Sequence, residues 1–101
     1  MKGIIFFRAN EENYRIAESK FDSFLAGYDA LGISITKLIK NRNEYSAIFA
    51  NGDRWDLVLF RENIRGRKAN LVYAPHDVTP EEQSILKCCA HALPYADIIY
   101  Y

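Results

Sequence analysis

Five residues in one short stretch have the side chains and backbone needed to hold a phosphate. Arg61, Arg65, Arg67 and Lys68 lie within eight residues, and Gly66 stands among them with an unhindered backbone N–H. Arginine forks and free amides match phosphate oxygens, and such contacts position a nucleic acid without reading its bases. The sequence therefore predicts an anion or nucleic-acid contact here. The alternative, which charged runs more often represent, is a solvated loop in which neighbouring acids offset part of the charge.

His76 and Asp77 form a second grouping with chemical potential, since a carboxylate can orient an imidazole that acts as a general base. Adjacent residues on an extended chain point to opposite sides, however, so a turn in which Asp77 and Thr79 lead into a helix is the better explanation. Only a deep polar cleft beyond residues 71–74 would favour an enzyme, because ligands of open α/β sheets bind at the carboxyl ends of strands. We therefore predict no catalytic residue and no enzymatic activity.

The two cysteines offer neither a disulfide framework nor a metal site. Cys88 and Cys89 are adjacent and are the only cysteines in the chain, so they lack the separated spacing of either arrangement. His91 follows Cys88 by three residues, but no third or fourth ligand accompanies them, and we interpret Cys88 as a buried thiol beside a surface histidine. The sequence predicts no metal and no cofactor.

Length and charge limit the remaining functions. The chain has 101 residues, half of them apolar, with 13 basic and 13 acidic residues and no net charge. This predicts a single folded domain over residues 1–101 without a global field that would hold it on DNA. The apolar run over residues 4–7 is too short for a signal peptide or a membrane span. We expect a soluble protein of a reducing, cytoplasmic compartment that does not bind membranes.

The elements that must position these groups alternate between strands and helices. Residues 3–8 form an unbroken apolar run typical of a central strand covered on both faces. Asn10 is placed to cap a helix whose apolar stripe continues to Leu31, and Gly32 is placed to end it. Residues 33–40 predict a strand, and residues 44–50 and 54–60 predict a hairpin around Asn51 and Gly52.

The second half of the chain repeats the pattern after a polar connector over residues 61–68. Residues 70–74 predict another short strand, and Thr79, Pro80 and Glu82 form a capping box that starts a helix at Pro80. Its buried face should include Ile85, Leu86, Cys88, Cys89, Ala92 and Leu93. Residues 96–101 predict a last strand. The resulting fold class is α/β in the order β-α-β-β-β-β-α-β, with a mixed sheet in two or three layers.

One strand of the hairpin is a candidate interaction surface. If the strand that carries Trp55, Leu57 and Leu59 lies at the edge of the sheet, it leaves unpaired backbone groups and apolar side chains that another chain could use. Arg54, Asp56 and Arg61 would then shield that edge. This predicts an unknown protein partner, or a homodimer formed by extension of the sheet.

The run FANGDRWDLVLFRENIRGRKANLVYAP, residues 49–75, resembles the middle of the ATPase domain of phage large terminase subunits, the DNA-packaging motors. In that family an Asn-Gly hairpin precedes an Arg-Gly-x-Arg-Ala-Asn segment that leads into the Walker B strand. Residues 3–31 and 79–101 are similar to neighbouring parts of the same domain. The resemblance implies a P-loop-ATPase-like arrangement, a phage or prophage setting and a bacterial host cell.

The catalytic motifs of that family are missing. No G-x-x-x-x-G-K-[ST] motif occurs in the sequence, so no phosphate-cradling loop is available. Where the family's Walker B strand ends in acids that hold magnesium, this chain has Ala74 and Pro75, which cannot ligate a metal. We therefore predict a non-enzymatic binding protein that acts through protein contacts. The alternative is a nucleic-acid-binding accessory protein that uses the loop around Gly66.

Overall fold

The computed structural model describes residues 1–41, 44–61, 67–90 and 97–101. The elements follow the predicted order: β1 (Lys2–Phe7), α1 (Glu11–Ala30), β2 (Ile35–Lys40), β3 (Glu44–Phe49), β4 (Arg54–Leu59), β5 (Leu71–Ala74), α2 (Pro80–Ala90) and β6 (Asp97–Tyr100). The strands form one mixed sheet in the order β2-β3-β4-β1-β5-β6. The predicted α/β class with a mixed sheet is confirmed.

β1 occupies the interior of the sheet, as its unbroken apolar sequence predicted. It runs parallel to β4 on one side and to β5 on the other. Because side chains alternate across a strand, Ile4 and Phe6 join the core beneath α2, whereas Ile5 and Phe7 join the core beneath α1. The two helices therefore cover opposite faces, and the fold has three layers.

Local signals in the sequence determine where both helices begin. Asn10 accepts a hydrogen bond from the backbone N–H of Asn13 at 2.8 Å, so it caps α1. At α2, the N–H of Glu82 donates to the Thr79 hydroxyl at 3.2 Å, and the N–H of Thr79 donates to the Glu82 carboxylate at 2.9 Å. These reciprocal bonds are the predicted capping box. Gly32, just beyond α1, has a φ of +74°, as expected for a glycine that ends a helix.

The predicted hairpin joins β3 and β4 through a short loop. The N–H of Phe49 donates to the carbonyl of Asp53 at 2.9 Å, which closes the ladder around residues 50–52. Gly52 has a φ of +91°, and Asn51 keeps a negative φ. This is the three-residue loop in which glycine takes the left-handed position.

Trp55 is the centre of the core beneath α1. Its side chain is 2% exposed and lies directly over Gly3 of the neighbouring strand, where a Cβ atom would come within 2.4 Å of the indole. Phe24 of α1 stacks on the same ring at a centroid distance of 4.3 Å. The indole N–H donates to the Tyr28 hydroxyl at 3.2 Å. Glycine is thus required at position 3 because the indole fills the space above it.

Candidate functional site

A crevice opens at the carboxyl ends of β1 and β5. β1 connects through α1 on one face towards β2, and β5 connects through α2 on the opposite face to β6. Ligands of open α/β sheets bind where connections diverge in this way. Two solvent-open depressions with volumes of about 170 and 390 Å³ flank Arg8 at this point. They lie beyond β5, the place where a deep polar cleft would have favoured an enzyme.

Arg8, the residue after β1, is already neutralised by two carboxylates. Its Nη1 and Nη2 donate to the two Glu82 oxygens at 2.8 and 2.9 Å, and its Nε donates to Asp77 at 3.1 Å. The hydrogen bonds from Arg8 lower the pKa of Glu82 to about 2, although burial opposes the shift. The arginine thus fastens the end of β1 to the start of α2, and its charge is not free for an anionic ligand.

The side chains of His76 and Asp77 contact different partners. The Nδ1 atom of His76 lies 2.9 Å from the backbone oxygen of Tyr101, whereas Asp77 turns towards Arg8. The nearby phenol of Tyr101 points inward and donates to the carbonyl of Phe6, and burial raises the pKa of Tyr101 to about 12. These groups have separate structural partners, in agreement with the turn predicted for Asp77 and Thr79.

The basic residues proposed for phosphate contact do not form one patch among the described residues. Arg67 lies 3.4 Å from Glu44 and 3.7 Å from Asp56, and Lys68 donates to the carbonyl of Cys88 at 2.8 Å. Arg61 is exposed at the rim of the larger depression. The other two members of the group, Arg65 and Gly66, lie outside the described residues. Two of the three described cations therefore serve contacts within the chain.

Two carboxylates, the buried Asp56 and the half-buried Glu44, lie close together on the face of the sheet opposite α1. Asp56 is completely buried and accepts a hydrogen bond from Arg54 Nε at 2.9 Å. Its Oδ2 has no hydrogen-bond partner among the residues that the structure describes, and it lies 3.7 Å from Arg67 Nη1. Burial opposes the ionisation of Glu44, but hydrogen bonds from Arg67 and Ser46 outweigh it and lower its pKa. The sequence had suggested that Asp56 shields an exposed edge, but Asp56 is instead part of an internal ion-pair network.

The cysteines are placed differently from each other. Cys89 is buried on the inner face of α2, and this burial raises the pKa of its thiol, whereas Cys88 is exposed. The prediction of a buried Cys88 is wrong, because it faces away from the stripe formed by Ile85, Leu86 and Cys89. His91 lies outside the described residues. Within the described ranges, no cluster of histidine, cysteine and acidic side chains could hold a metal ion.

The prediction that β4 could lie at the edge of the sheet is also wrong. β4, which carries Trp55, Leu57 and Leu59, lies between β3 and β1 and pairs with both. Trp55 and Leu57 are buried, and Leu59 is half-buried against the same core. A strand that pairs on both sides has no open backbone edge, so these three residues cannot extend the sheet towards another chain.

The edge on this side of the sheet is β2, and it is exposed on both faces. Five of its six residues are exposed, including Ile35 at 42% and Leu38 at 51%. A β-bulge lies between Ile35 and Lys37, after which the register with β3 is regular through Lys40. Apolar side chains on an open strand edge are uncommon in a monomeric protein, because the edge can pair with another chain.

The backbone bonds show which groups of β2 face outward. The N–H of Asn41 donates to the carbonyl of Glu44 at 2.9 Å, so residues 37 and 39 also turn their backbone groups towards β3. On the other side of β3, the N–H of Phe49 donates to the carbonyl of Asp53. Residues 45 and 47 therefore direct their backbone groups towards β4, and residues 44, 46 and 48 direct theirs towards β2, which is the same alternation. Leu38 and Lys40 therefore direct their N–H and C=O groups away from the sheet.

The sequence contained a weak signal for this edge. Residues 33–43 include three cations, Lys37, Lys40 and Arg42, and no acidic residue. Lysines are common on exposed edge strands. The alternation and the β-branched residues of the same stretch predicted a strand but did not show that it lies at an edge.

Comparisons with protein-family models, with curated proteins and with solved structures find no match to this chain. The function is therefore inferred from the geometry described above. Among the described helices, none has both the length and the apolar character required to cross a lipid bilayer.

Proposed function

We propose that this chain is a non-enzymatic binding protein whose β2 edge receives an extended segment of a protein partner. The observation that supports this function is the combination of free backbone groups at Leu38 and Lys40 with exposed apolar side chains along the same strand. In β-augmentation, main-chain hydrogen bonds supply affinity, and alternate side chains supply specificity. β2 offers both.

The candidate chemical groups elsewhere favour binding over catalysis. Arg8, Glu82 and Asp77 are joined in one ion-pair network at the crevice, and His76 contacts a backbone oxygen. A general base must reach a substrate proton, but these groups are held by contacts that connect the layers of the fold. The crevice is thus accounted for as a structural junction.

The nucleic-acid alternative has less support. Arg67 and Lys68 have contacts within the chain, and among the described residues of the group only Arg61 is exposed without such a contact. Fluorescence anisotropy of labelled single- and double-stranded DNA at two salt concentrations tests this alternative. Binding that weakens with salt and is lost in an Arg61→Ala/Arg65→Ala variant would favour it, because neutralised phosphates release counterions.

The setting of this function is part of the proposal. The resemblance of residues 49–75 to terminase ATPase domains supports a P-loop-ATPase-like origin, a phage or prophage source and a cytoplasmic location in a bacterial host. A binding protein that lacks both catalytic motifs of such motors would take part in an assembly through contacts alone.

Two proline variants test the edge directly. Leu38→Pro removes an N–H that faces outward, so it should leave the ladder with β3 intact and preserve the fold. Ile39→Pro removes an N–H that faces β3, so it should destabilise the fold by about 1–3 kcal/mol through a lost ladder bond. Circular dichroism and thermal unfolding of the two variants would confirm which backbone groups are free.

The functional readout is selection of displayed ten-residue peptides against the immobilised protein. Peptides that bind should lose their affinity for Leu38→Pro, and they should protect the amides of Leu38 and Lys40 from hydrogen exchange. A matched variant on α2, Lys87→Glu, should bind them normally because Lys87 is exposed on a different surface. The proposal would be refuted by an absence of binders or by binders that are insensitive to Leu38→Pro.

A further inference from the structure

We infer that the β2 edge selects a strand with the pattern acidic–apolar–apolar–acidic, an inference that rests on the proposed function. The selecting residues are the four consecutive members of β2 after its bulge, Lys37, Leu38, Ile39 and Lys40. Together they present a charge at each end and two aliphatic side chains between them.

The two faces of β2 determine how this pattern is read. Leu38 lies opposite Ala47, and Lys40 lies opposite Tyr45, both of which belong to the core beneath α1. Lys40 Nζ lies 4.8 Å from the centroid of the Tyr45 ring. Lys37 and Ile39 occupy the opposite face because side chains alternate. Each face of the edge thus presents one lysine and one aliphatic residue.

A partner strand must match both faces at once. On each face, residues directly opposite one another interact, and opposite charges or apolar pairs stabilise the contact. An acidic residue opposite each lysine and an apolar residue opposite Leu38 and Ile39 gives the order acidic–apolar–apolar–acidic. This order is the same when it is read in either direction, so it suits a parallel or an antiparallel partner.

Charge argues against a second copy of this chain as the occupant. Residues 33–43 contain three cations and no acid, so pairing β2 with itself would bring together two strands of the same charge. Like charges in register are destabilising, and lysines together with a bulge are features that keep edge strands from self-association. An acidic partner strand converts the same lysines from a barrier into a source of specificity.

Two peptides that differ only in charge test the inference. One ten-residue peptide is centred on Glu-Val-Val-Glu, and the other has Lys-Val-Val-Lys in an otherwise identical sequence. The wild-type protein should bind the acidic peptide at least tenfold more tightly, by fluorescence anisotropy. A Lys37→Glu/Lys40→Glu variant should reverse that preference, and Lys87→Glu should not change it. The Leu38→Pro variant, which keeps both lysines, should bind the acidic peptide more weakly than the wild-type protein does.

The possible results show whether the charge pattern or the proposed function is wrong. Equal binding of both peptides, lost in Leu38→Pro, overturns the charge pattern and leaves the β2 edge as a binding site. Binding that survives Leu38→Pro overturns both. If neither peptide binds, the pattern is wrong, and the displayed library decides the proposed function. A dimer of the protein alone in sedimentation velocity, broken by Leu38→Pro, would show that the occupant is a second copy and overturn the inference.

Discussion

Replacing Gly3 with alanine should be among the most damaging single-methyl additions to this protein. The new Cβ atom would lie 2.4 Å from the Cζ3 atom of Trp55, which is well inside the contact distance of about 3.5–4.0 Å between carbon atoms. The indole cannot easily move away, because Phe24 stacks on it at 4.3 Å and Tyr28 accepts its N–H. Adding the methyl group must therefore strain the core beneath α1.

The expected cost lies at the upper end of the range for overpacked cores, about 3 kcal/mol. For a domain of this size, that corresponds to a fall in Tm of roughly 12–24 °C. Trp55 is the only tryptophan in the chain, so its fluorescence reports unfolding at the site of the change. Thermal and urea unfolding, followed at this one chromophore, measure the loss.

A double variant tests the cause rather than the size of the effect. Trp55→Phe removes the part of the ring that Gly3→Ala would strike, so the Gly3→Ala/Trp55→Phe protein should be more stable than the sum of the single changes predicts. Far-ultraviolet circular dichroism replaces fluorescence for the variants without tryptophan. A loss below about 0.5 kcal/mol for Gly3→Ala, within the range of ordinary surface substitutions, or strict additivity of the two changes, would refute this account of the core.

Three further changes test the junctions described above. Glu82→Gln should lower the free energy of unfolding by about 1.5–3 kcal/mol at pH 7, because it weakens the charge-assisted bonds to Arg8. The pKa of Glu82 falls from 4.5 to about 2 on folding. The stability difference from wild type, measured by urea unfolding, should therefore be complete above pH 4.5 and disappear towards pH 2. Thr79→Ala should cost about 1 kcal/mol in thermal unfolding through loss of the cap, whereas the exposed Ser84→Ala should not destabilise α2. Phe21→Ala should cost about 3–5 kcal/mol in urea unfolding because its ring is fully buried, and a loss below 1 kcal/mol would contradict its place in the core.

Local chemistry made much of this fold predictable. The caps at Asn10 and Thr79 depend on hydroxyl or amide side chains within three residues of the N–H groups that they satisfy. The hairpin depends on the conformational freedom of Gly52, and the interior position of β1 depends on its unbroken apolar run. Each signal lies within a few residues of the element that it determines, so no knowledge of distant contacts was needed.

Strand order was not predictable in this way. The Asn-Gly turn predicts that β3 and β4 are neighbours, but nothing in residues 54–59 indicates that β1, some fifty positions earlier, pairs with the other side of β4. Without that contact, Trp55 and Leu57 resemble an apolar edge, and nothing marks β2 as the edge strand. The error in the candidate site thus came from a single long-range pairing.

Asp56 and Cys88 show a second limit of sequence patterns. The alternation along β4 correctly places Asp56 on the opposite face from Trp55, but it does not reveal that Arg54 and Arg67 cover that face and bury the carboxylate. On α2, Cys88 and Cys89 differ by one position, which is about 100° around a helix. That rotation is enough to expose one thiol and bury the other.

The distribution of charge supports the proposal that this protein recognises a partner through a backbone edge. Arg8, Arg54 and Arg67 have carboxylate partners within the described structure, in contacts that join strands and a helix. A partner that competed for these side chains would have to break the contacts that hold the layers together. At β2, by contrast, the outward N–H and C=O groups of Leu38 and Lys40 have no role in the ladder with β3. A partner strand could use them without any loss to the fold, so binding at β2, as proposed, would not conflict with stability.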